Sequence, residues 1–124
     1  MSKILIAEDE VLMLKALEFK LKKDGYQVDV ASDGRQAMDK VKNDTYDLIL
    51  TDIMMPFVGG MEILSYIKND PIKKNTPVLL ISAVGLESVV LEGFNLGADD
   101  FIYKPFNLNE LSVRIKRYIK QNVF

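Results

Sequence analysis

Short apolar segments alternate along the chain with longer segments in which apolar residues recur at helical spacing. The short segments predict β-strands, and they cover residues 3–7, 26–32, 47–51, 77–82 and 99–103. The longer segments predict amphipathic α-helices, and they cover residues 10–23, 34–43, 60–69, 86–96 and 107–121. The pattern therefore predicts five successive strand–helix units.

This alternation predicts an α/β fold, (βα)5, in which five parallel strands form one doubly wound sheet with helices on both faces. The runs "LILT" and "VLLIS" lack polar alternation, as expected for strands that are covered on both sides. A chain of 124 residues is too short for a closed eight-stranded barrel, so the sheet is expected to be open. Ligands of open parallel sheets bind beyond the carboxyl ends of the strands.

Composition and charge exclude several classes of function. The length suits a single domain, predicted for residues 1–124, and the absence of cysteine and histidine excludes disulfides, thiolate nucleophiles, Ser-His-Asp triads and histidine metal sites. The net charge of −2 does not indicate direct nucleic-acid binding, and no apolar run approaches the roughly 20 residues of a membrane span. The first residues do not resemble a secretory signal, so a cytoplasmic location is expected.

Polar residues collect where the predicted strands end. Glu8 and Asp9 follow the first strand, Asp52 the third, Ser82 the fourth and Lys104 the fifth. Each of them has an ordinary structural explanation when taken alone, since aspartate is common in turns and serine is common at helix caps. Because parallel strands bring their carboxyl ends to one edge of the sheet, we expect these five side chains to converge there.

Such a cluster has a definite chemistry. Three carboxylates close together repel one another and raise one another's pKa values unless a cation lies among them, and oxygen ligands suit Mg²⁺. The carboxylate of Asp52 can act as a nucleophile toward a phosphoryl group. The ammonium of Lys104 and the hydroxyl of Ser82 would then stabilise the transferred oxygens. These residue types predict the Mg²⁺-dependent formation of a labile aspartyl phosphate.

Four segments, "ILIAEDE", "DLILTDIMMP", "PVLLISA" and "GADDFIYKPF", resemble in sequence and spacing the receiver domain of bacterial two-component response regulators, such as the chemotaxis response regulator. The resemblance covers residue 3 to about residue 121. It implies a flavodoxin-like sheet with strand order 2-1-3-4-5. It also implies that Asp52 accepts the phosphoryl group, that Ser82 and Lys104 bind it, and that the Lys104-Pro105 peptide bond is cis.

The resemblance implies a Mg²⁺ site and a switch. The implied ligands are Asp9, Asp52 and the main-chain carbonyl of Met54, while Glu8, which stands where Asp is more frequent, completes the acidic pocket through a water. The switch consists of Ser82, drawn toward the phosphate, and Phe101, whose ring turns inward in response. Because Phe101 lacks the tyrosine hydroxyl, its signal would be steric.

Two further departures from the family's usual sequence carry expectations. The segment "FVGG" at residues 57–60 replaces the sequence that is usual in this loop, so we expect an unusual local conformation there. Met54 and Val84 stand where polar side chains of some relatives orient the attacking water. We therefore expect slow self-dephosphorylation, over minutes or longer, in a protein that is otherwise a signalling phosphoacceptor and not an enzyme.

The fourth helix, fifth strand and fifth helix form the usual output face in this family. A helix cannot bury three consecutive apolar residues, so at least one residue of 89–91 should be exposed. Val90 stands where DNA-binding relatives have a basic residue that pairs across a dimer with an acid near Glu110, whereas the Asp100–Arg114 pair of those relatives is left open. An apolar contact with an unknown output protein is favoured, and a phosphorylation-dependent homodimer is left open.

The protein cannot be its own phosphohistidine donor, because the chain contains no histidine. A sensor histidine kinase or a histidine phosphotransfer protein is therefore the expected partner. Whether the chain is a stand-alone receiver or part of a larger regulator is left open.

Three other functions are less consistent with the sequence. An aspartate-based phosphotransferase of the haloacid dehalogenase kind needs a second Asp two residues after the first, where this chain has Met54. A nucleotide- or flavin-binding module would need a glycine- or hydroxyl-rich loop after the first strand, where this chain has the acidic "AEDEVLML". The remaining alternative is a degenerate receiver that is never phosphorylated and acts as a protein-binding module.

Overall fold

A computed structural model describes residues 1–83 and 87–119, which form alternating strands and helices. The strands are β1 (Lys3–Ala7), β2 (Gln27–Ala31), β3 (Leu48–Asp52), β4 (Val78–Ala83) and β5 (Asp100–Lys104). The helices are α1 (Val11–Lys23), α2 (Gly34–Asn43), α3 (Gly60–Lys68), α4 (Glu87–Asn95) and α5 (Leu108–Tyr118). The predicted order and type of all ten elements are confirmed.

The five strands form one parallel sheet in the order β2-β1-β3-β4-β5, as the sequence resemblance implied. Most predicted boundaries differ from the observed ones by a residue, which is the usual uncertainty at element ends. The third strand, for example, was predicted to end at residue 51 but includes Asp52. The carboxylate of Asp52 therefore projects from the last residue of the central strand, where that residue pairs with Ile81 of β4.

The core has two layers because successive residues of a strand face opposite sides of the sheet. In β1, Leu5 and Ala7 pack on the side of α2 and α3, whereas Ile4 and Ile6 pack on the side of α1 and α5. All four side chains are fully buried. Burial on both faces explains why the central strands show no polar alternation.

Short polar side chains begin two of the helices. The carboxylate of Asp33 accepts a hydrogen bond from Gln36 N at 2.9 Å at the start of α2. The side chain of Asn107 accepts bonds from the main-chain N–H groups of residues 109 and 110 at the start of α5. These caps satisfy main-chain donors that have no partner within the helix. No helix in the part of the chain that the structure describes is long and apolar enough to cross a membrane.

A few predictions fall beyond the described residues. Residue 86 of the predicted fourth helix, residues 120 and 121 of the predicted fifth helix, and the position of Val84 lie outside them. The cis peptide bond predicted between Lys104 and Pro105 is confirmed.

Candidate functional site

Asp52 lies at the carboxyl end of the central strand β3, between β1 and β4. Its side chain is almost fully buried, and both of its oxygens accept hydrogen bonds. Lys104 Nζ donates to Oδ2 at 2.7 Å, and the main-chain N–H of Met54 donates to Oδ1 at 3.1 Å. The carboxylate is therefore held in one orientation by an ammonium on β5 and by the loop that follows β3.

The predicted acidic cluster is present around it. Glu8, Asp9 and Asp52 each contribute a carboxylate oxygen, and these oxygens lie within 4.8 Å of one another. Glu8 is fully buried, and its Oε2 accepts a hydrogen bond from Glu10 N at 3.1 Å. Its Oε1 has no hydrogen-bond partner among the described residues, and Lys104 Nζ stands 3.6 Å away. A buried carboxylate oxygen without a partner is costly unless a cation contacts it.

The electrostatics of Glu8 follow from this burial. Desolvation, with a smaller contribution from the charge of Asp52, raises the pKa of Glu8 from 4.5 to about 7, although the bond from Glu10 N and the charge of Lys104 oppose the shift. Burial alone would lower the pKa of Lys104, but the hydrogen bond and the charges of Asp52 and Glu8 raise it overall. The site therefore contains a firmly protonated lysine and more negative charge than that lysine can balance.

Removing the charge of Glu8 should stabilise the protein when no Mg²⁺ is present. A carboxyl group with a pKa of about 7 in the folded state and 4.5 otherwise stabilises the fold as the pH falls through that window, and costs stability above it. We expect Glu8→Gln to melt at a higher temperature than the wild type at about pH 8, and the difference to shrink at about pH 5. Circular dichroism melting curves measure both temperatures.

Added Mg²⁺ provides the control for this prediction. It should raise the melting temperature of the wild type more than that of Glu8→Gln, because an ion bound among the carboxylates would relieve the same repulsion that the substitution removes. A variant that is less stable than the wild type at about pH 8 without Mg²⁺ would show that the Glu8 charge is already compensated.

The site opens to solvent as a cleft of about 270 Å³. It is lined by Glu8, Asp9, Glu10, Asp52, Ile53, Met54, Ser82, Ala83 and Lys104. The structure thus brings all the sequence-predicted acceptor and metal residues to one place. Ser82 is buried at the end of β4, but its Oγ donates to the carbonyl of Ala83 at 3.1 Å and not to Asp52.

A glycine packs closely against the strand that carries Asp52. Gly60, the first residue of α3, packs directly on the main chain of β3, and a Cβ built on it would lie 2.3 Å from the carbonyl oxygen of Asp52. Its N–H donates to the carbonyl of Ile53 at 2.9 Å. The glycine pair of "GGMEIL", a short distance after Asp52, is the sequence signal that could have indicated this close approach.

The aromatic residue predicted as a switch is already inward. Phe101 is 4% exposed, and its ring packs against α4 at Gly93, where an added Cβ would lie 2.5 Å from Phe101 Cζ. Its ring centroid lies 5.1 Å from that of Phe94 and 6.5 Å from that of Tyr103. Phe101 thus connects the core to two aromatic side chains that are partly exposed on α4 and β5.

The face formed by α4, β5 and α5 carries further exposed apolar residues. Leu91 is 65% exposed while Val89 and Val90 pack against the core, which confirms that the helix does not bury all three. Arg114 Nη1 bonds the two carboxylate oxygens of Asp100 at 3.0 and 3.1 Å within the chain. Asp100 and Arg114 thus pair with each other within the chain. The exposed apolar side chains of this face are available for contact with a partner.

Comparison with known proteins agrees with this geometry. Residues 4–116 match the response regulator receiver domain family. The chain belongs to that family.

Relatives of this receiver domain are found among both sequences and structures. It is 38% identical over 121 residues to response regulator ArlR of Staphylococcus saprophyticus and 37% identical over 121 residues to ArlR of Staphylococcus aureus, covering 98% of this chain and 54% of each relative. The chain thus spans about half the length of these curated relatives.

Solved structures show the same fold. Chemotaxis response regulator CheY4 of Vibrio cholerae has 29% identity and a TM-score of 0.89, covering 96% of this chain and 99% of that protein. The receiver domain of sensor histidine kinase PA1611 of Pseudomonas aeruginosa, solved with a magnesium ion in its active-site cleft, has 27% identity and a TM-score of 0.85, covering 94% of this chain and 96% of that one. The flavodoxin-like fold is therefore shared with receivers from several kinds of signalling protein.

Proposed function

We propose that this receiver domain, residues 1–124, takes a phosphoryl group onto Asp52 from a sensor histidine kinase or a histidine phosphotransfer protein. The observation that carries the proposal is the placement of Asp52 at 2.7 Å from Lys104 Nζ and within the carboxylate cluster of Glu8 and Asp9. In the reaction, a bond forms between an oxygen of Asp52 and phosphorus, and the bond from phosphorus to the donor's histidine nitrogen breaks. A cytoplasmic location stays a prediction.

The donor set fits a magnesium ion. Three carboxylates meet, and Glu8 Oε1 is buried without a hydrogen bond from the described residues, as expected of an atom that is oriented toward a cation or its water. Asp9, Asp52 and the main-chain carbonyl of Met54 would hold the ion, with Glu8 behind them. Bound there, Mg²⁺ supplies positive charge that offsets the carboxylates and the phosphoryl oxygens. The ion in the PA1611 receiver supports this assignment.

The remaining polar groups have separate roles. Lys104, already paired with Asp52, exchanges the carboxylate oxygen for a phosphoryl oxygen as the new bond forms. The hydroxyl of Ser82 leaves the carbonyl of Ala83, its present acceptor, and donates to the phosphoryl group. An attacking carboxylate has no proton to lose, so the reaction needs no general base.

The output passes through the face of α4, β5 and α5. Movement of Ser82 changes the end of β4, and Phe101 on the neighbouring strand transmits the change to Phe94 and Tyr103 at the surface. Because Phe101 is already buried, we propose that the packing around its ring changes and that no large inward rotation is required. The partner is a protein with an apolar contact surface, or a second copy of the chain in a phosphorylation-dependent dimer.

Intact-mass measurement tests the phosphoacceptor function. The protein is incubated with Mg²⁺ and acetyl phosphate, and we expect a single phosphoryl adduct that does not form when the metal is chelated. A protein that binds Mg²⁺ but never gains the adduct from acetyl phosphate or from a phosphorylated histidine phosphotransfer protein would instead be the degenerate, binding-only receiver.

Self-dephosphorylation should be slow, with a half-life of minutes or longer. The side chain of Met54 is apolar and 74% exposed at the mouth of the cleft, so it offers no hydrogen bond to orient an attacking water. The decay of the adduct after removal of acetyl phosphate measures the half-life. Loss within seconds would contradict the prediction.

A further inference from the structure

The loop that follows Asp52 has an unusual main-chain conformation. Phe57 has φ of +72°, which makes it the one non-glycine residue with a positive φ among residues 1–83 and 87–119. Bulky L-residues rarely adopt this conformation because it brings Cβ too close to the main chain. Burial does not account for it, since the side chain of Phe57 is 66% exposed. Something other than the hydrophobic core must hold this residue in place.

The first turn of α2 contacts the loop from two sides. The N–H of Gly34 donates to the carbonyl of Pro56 at 3.2 Å, and a Cβ on Gly34 would lie 1.7 Å from the carbonyl oxygen of Val58. The next residue, Arg35, places its guanidinium carbon 3.7 Å from the centroid of the Phe57 ring. Two consecutive residues of the helix thus hold three consecutive residues of the loop.

The position of Arg35 is not explained by the helix itself. A positive charge in the first turn of a helix is unfavourable because the helix dipole is positive there, and α2 has no acidic residue in its first turn. Arg35 is exposed and forms no ion pair among the described residues. Its contact with the face of the Phe57 ring, a favourable cation–π arrangement, is the interaction that accounts for its placement.

We propose that Arg35 and Phe57 are positioning residues for the magnesium site. Their contact holds Phe57 in the left-handed conformation and thereby fixes the path of the loop back to Met54, whose N–H bonds Asp52 Oδ1 at 3.1 Å. Met54 would also supply its main-chain carbonyl to the ion. This inference rests on the proposed function, and it adds that a helix without any metal ligand sets the affinity of the site.

Magnesium binding to the purified protein tests the contact directly. We expect Arg35→Gln to weaken Mg²⁺ binding by up to about fivefold, the factor that corresponds to an exposed cation–π contact. Lys40→Gln, which removes the same charge from the same helix without a contact to an aromatic ring in the described residues, should leave the affinity unchanged. Isothermal calorimetry measures both. In ¹⁵N NMR spectra, the amide signals of Met54 and Phe57 should move in Arg35→Gln and stay in Lys40→Gln.

A second background separates positioning from a general loss of stability. Phe57→Gly removes the ring and with it the contact, but glycine adopts positive φ without strain, so the loop should keep its path without Arg35. We expect Arg35→Gln to weaken Mg²⁺ binding in the wild type but not in the Phe57→Gly background. Equal weakening in both backgrounds, or an effect of Arg35→Gln no larger than that of Lys40→Gln, would overturn the proposal.

Loss of the phosphoacceptor function and loss of the positioning role give different experimental results. If the wild type neither binds Mg²⁺ nor forms the phosphoryl adduct, the proposed function is wrong, and the role of Arg35 and Phe57 falls with it. If the wild type does both and the Arg35 variant behaves as the Lys40 variant does, only the positioning role is wrong.

Discussion

Asp52→Asn should abolish the Mg²⁺-dependent phosphoryl adduct while the protein stays folded. The amide that replaces the carboxylate has no anionic oxygen to attack phosphorus, and it removes one of the three charges that would hold the metal. Loss of a covalent nucleophile usually costs several orders of magnitude in rate, so no adduct is expected in the time that the wild type needs for complete reaction. Intact mass after incubation with acetyl phosphate provides the measurement.

The fold should tolerate this substitution for a reason visible in the site. Lys104 loses its partner at 2.7 Å but keeps Glu8 at 3.6 Å, so its charge is not left without a counter-charge. The repulsion among the buried carboxylates also falls. A matched control is Asp39→Asn, which makes the same chemical change at an exposed position of α2 away from the cleft and should keep full phosphorylation. An Asp52→Asn protein that gains the adduct at the wild-type rate would place the acceptor elsewhere.

Much of the fold and of the site could be predicted because both follow from periodicity. Five apolar runs separated by helical segments require parallel strands, and parallel strands bring Glu8, Asp52, Ser82 and Lys104 to one edge without any knowledge of loop conformation. The exposure of Leu91 could be predicted in the same way, because the buried face of a helix is too narrow to include three consecutive residues. The order of the strands came from the resemblance to receivers and not from the pattern.

Side-chain orientation and loop path could not be predicted, because they depend on contacts between residues that are distant in sequence. The sequence placed Ser82 at the cleft but gave no indication that its hydroxyl bonds the carbonyl of Ala83. It marked Phe101 as a switch but not as a ring already packed against Gly93. The expected irregularity in "FVGG" was correct in location, whereas the left-handed conformation of Phe57 depends on Arg35 in another element.

Gly34→Ala should be among the most destabilising single changes in this protein. In an ordinary helix interior alanine is about 1 kcal/mol better than glycine, so helix propensity alone would favour the substitution. The new Cβ would lie 1.7 Å from the carbonyl oxygen of Val58, however, and a main-chain atom cannot move aside as a flexible side chain can. We expect a net loss of about 3 kcal/mol of the free energy of unfolding, the upper part of the range for overpacking.

Gly25→Ala provides the contrast that makes this prediction specific. Gly25 follows the C-cap residue of α1 and has φ of +101°, but a Cβ there would meet nothing within 4 Å. Its replacement should therefore cost only the strain of a left-handed alanine, about 1 to 2 kcal/mol. Urea denaturation of both variants measures the two free energies. If Gly34→Ala lowers the free energy of unfolding no more than Gly25→Ala does, the loop that follows Asp52 shifts to accommodate the new Cβ. Close packing at Gly34 then does not determine the path of that loop.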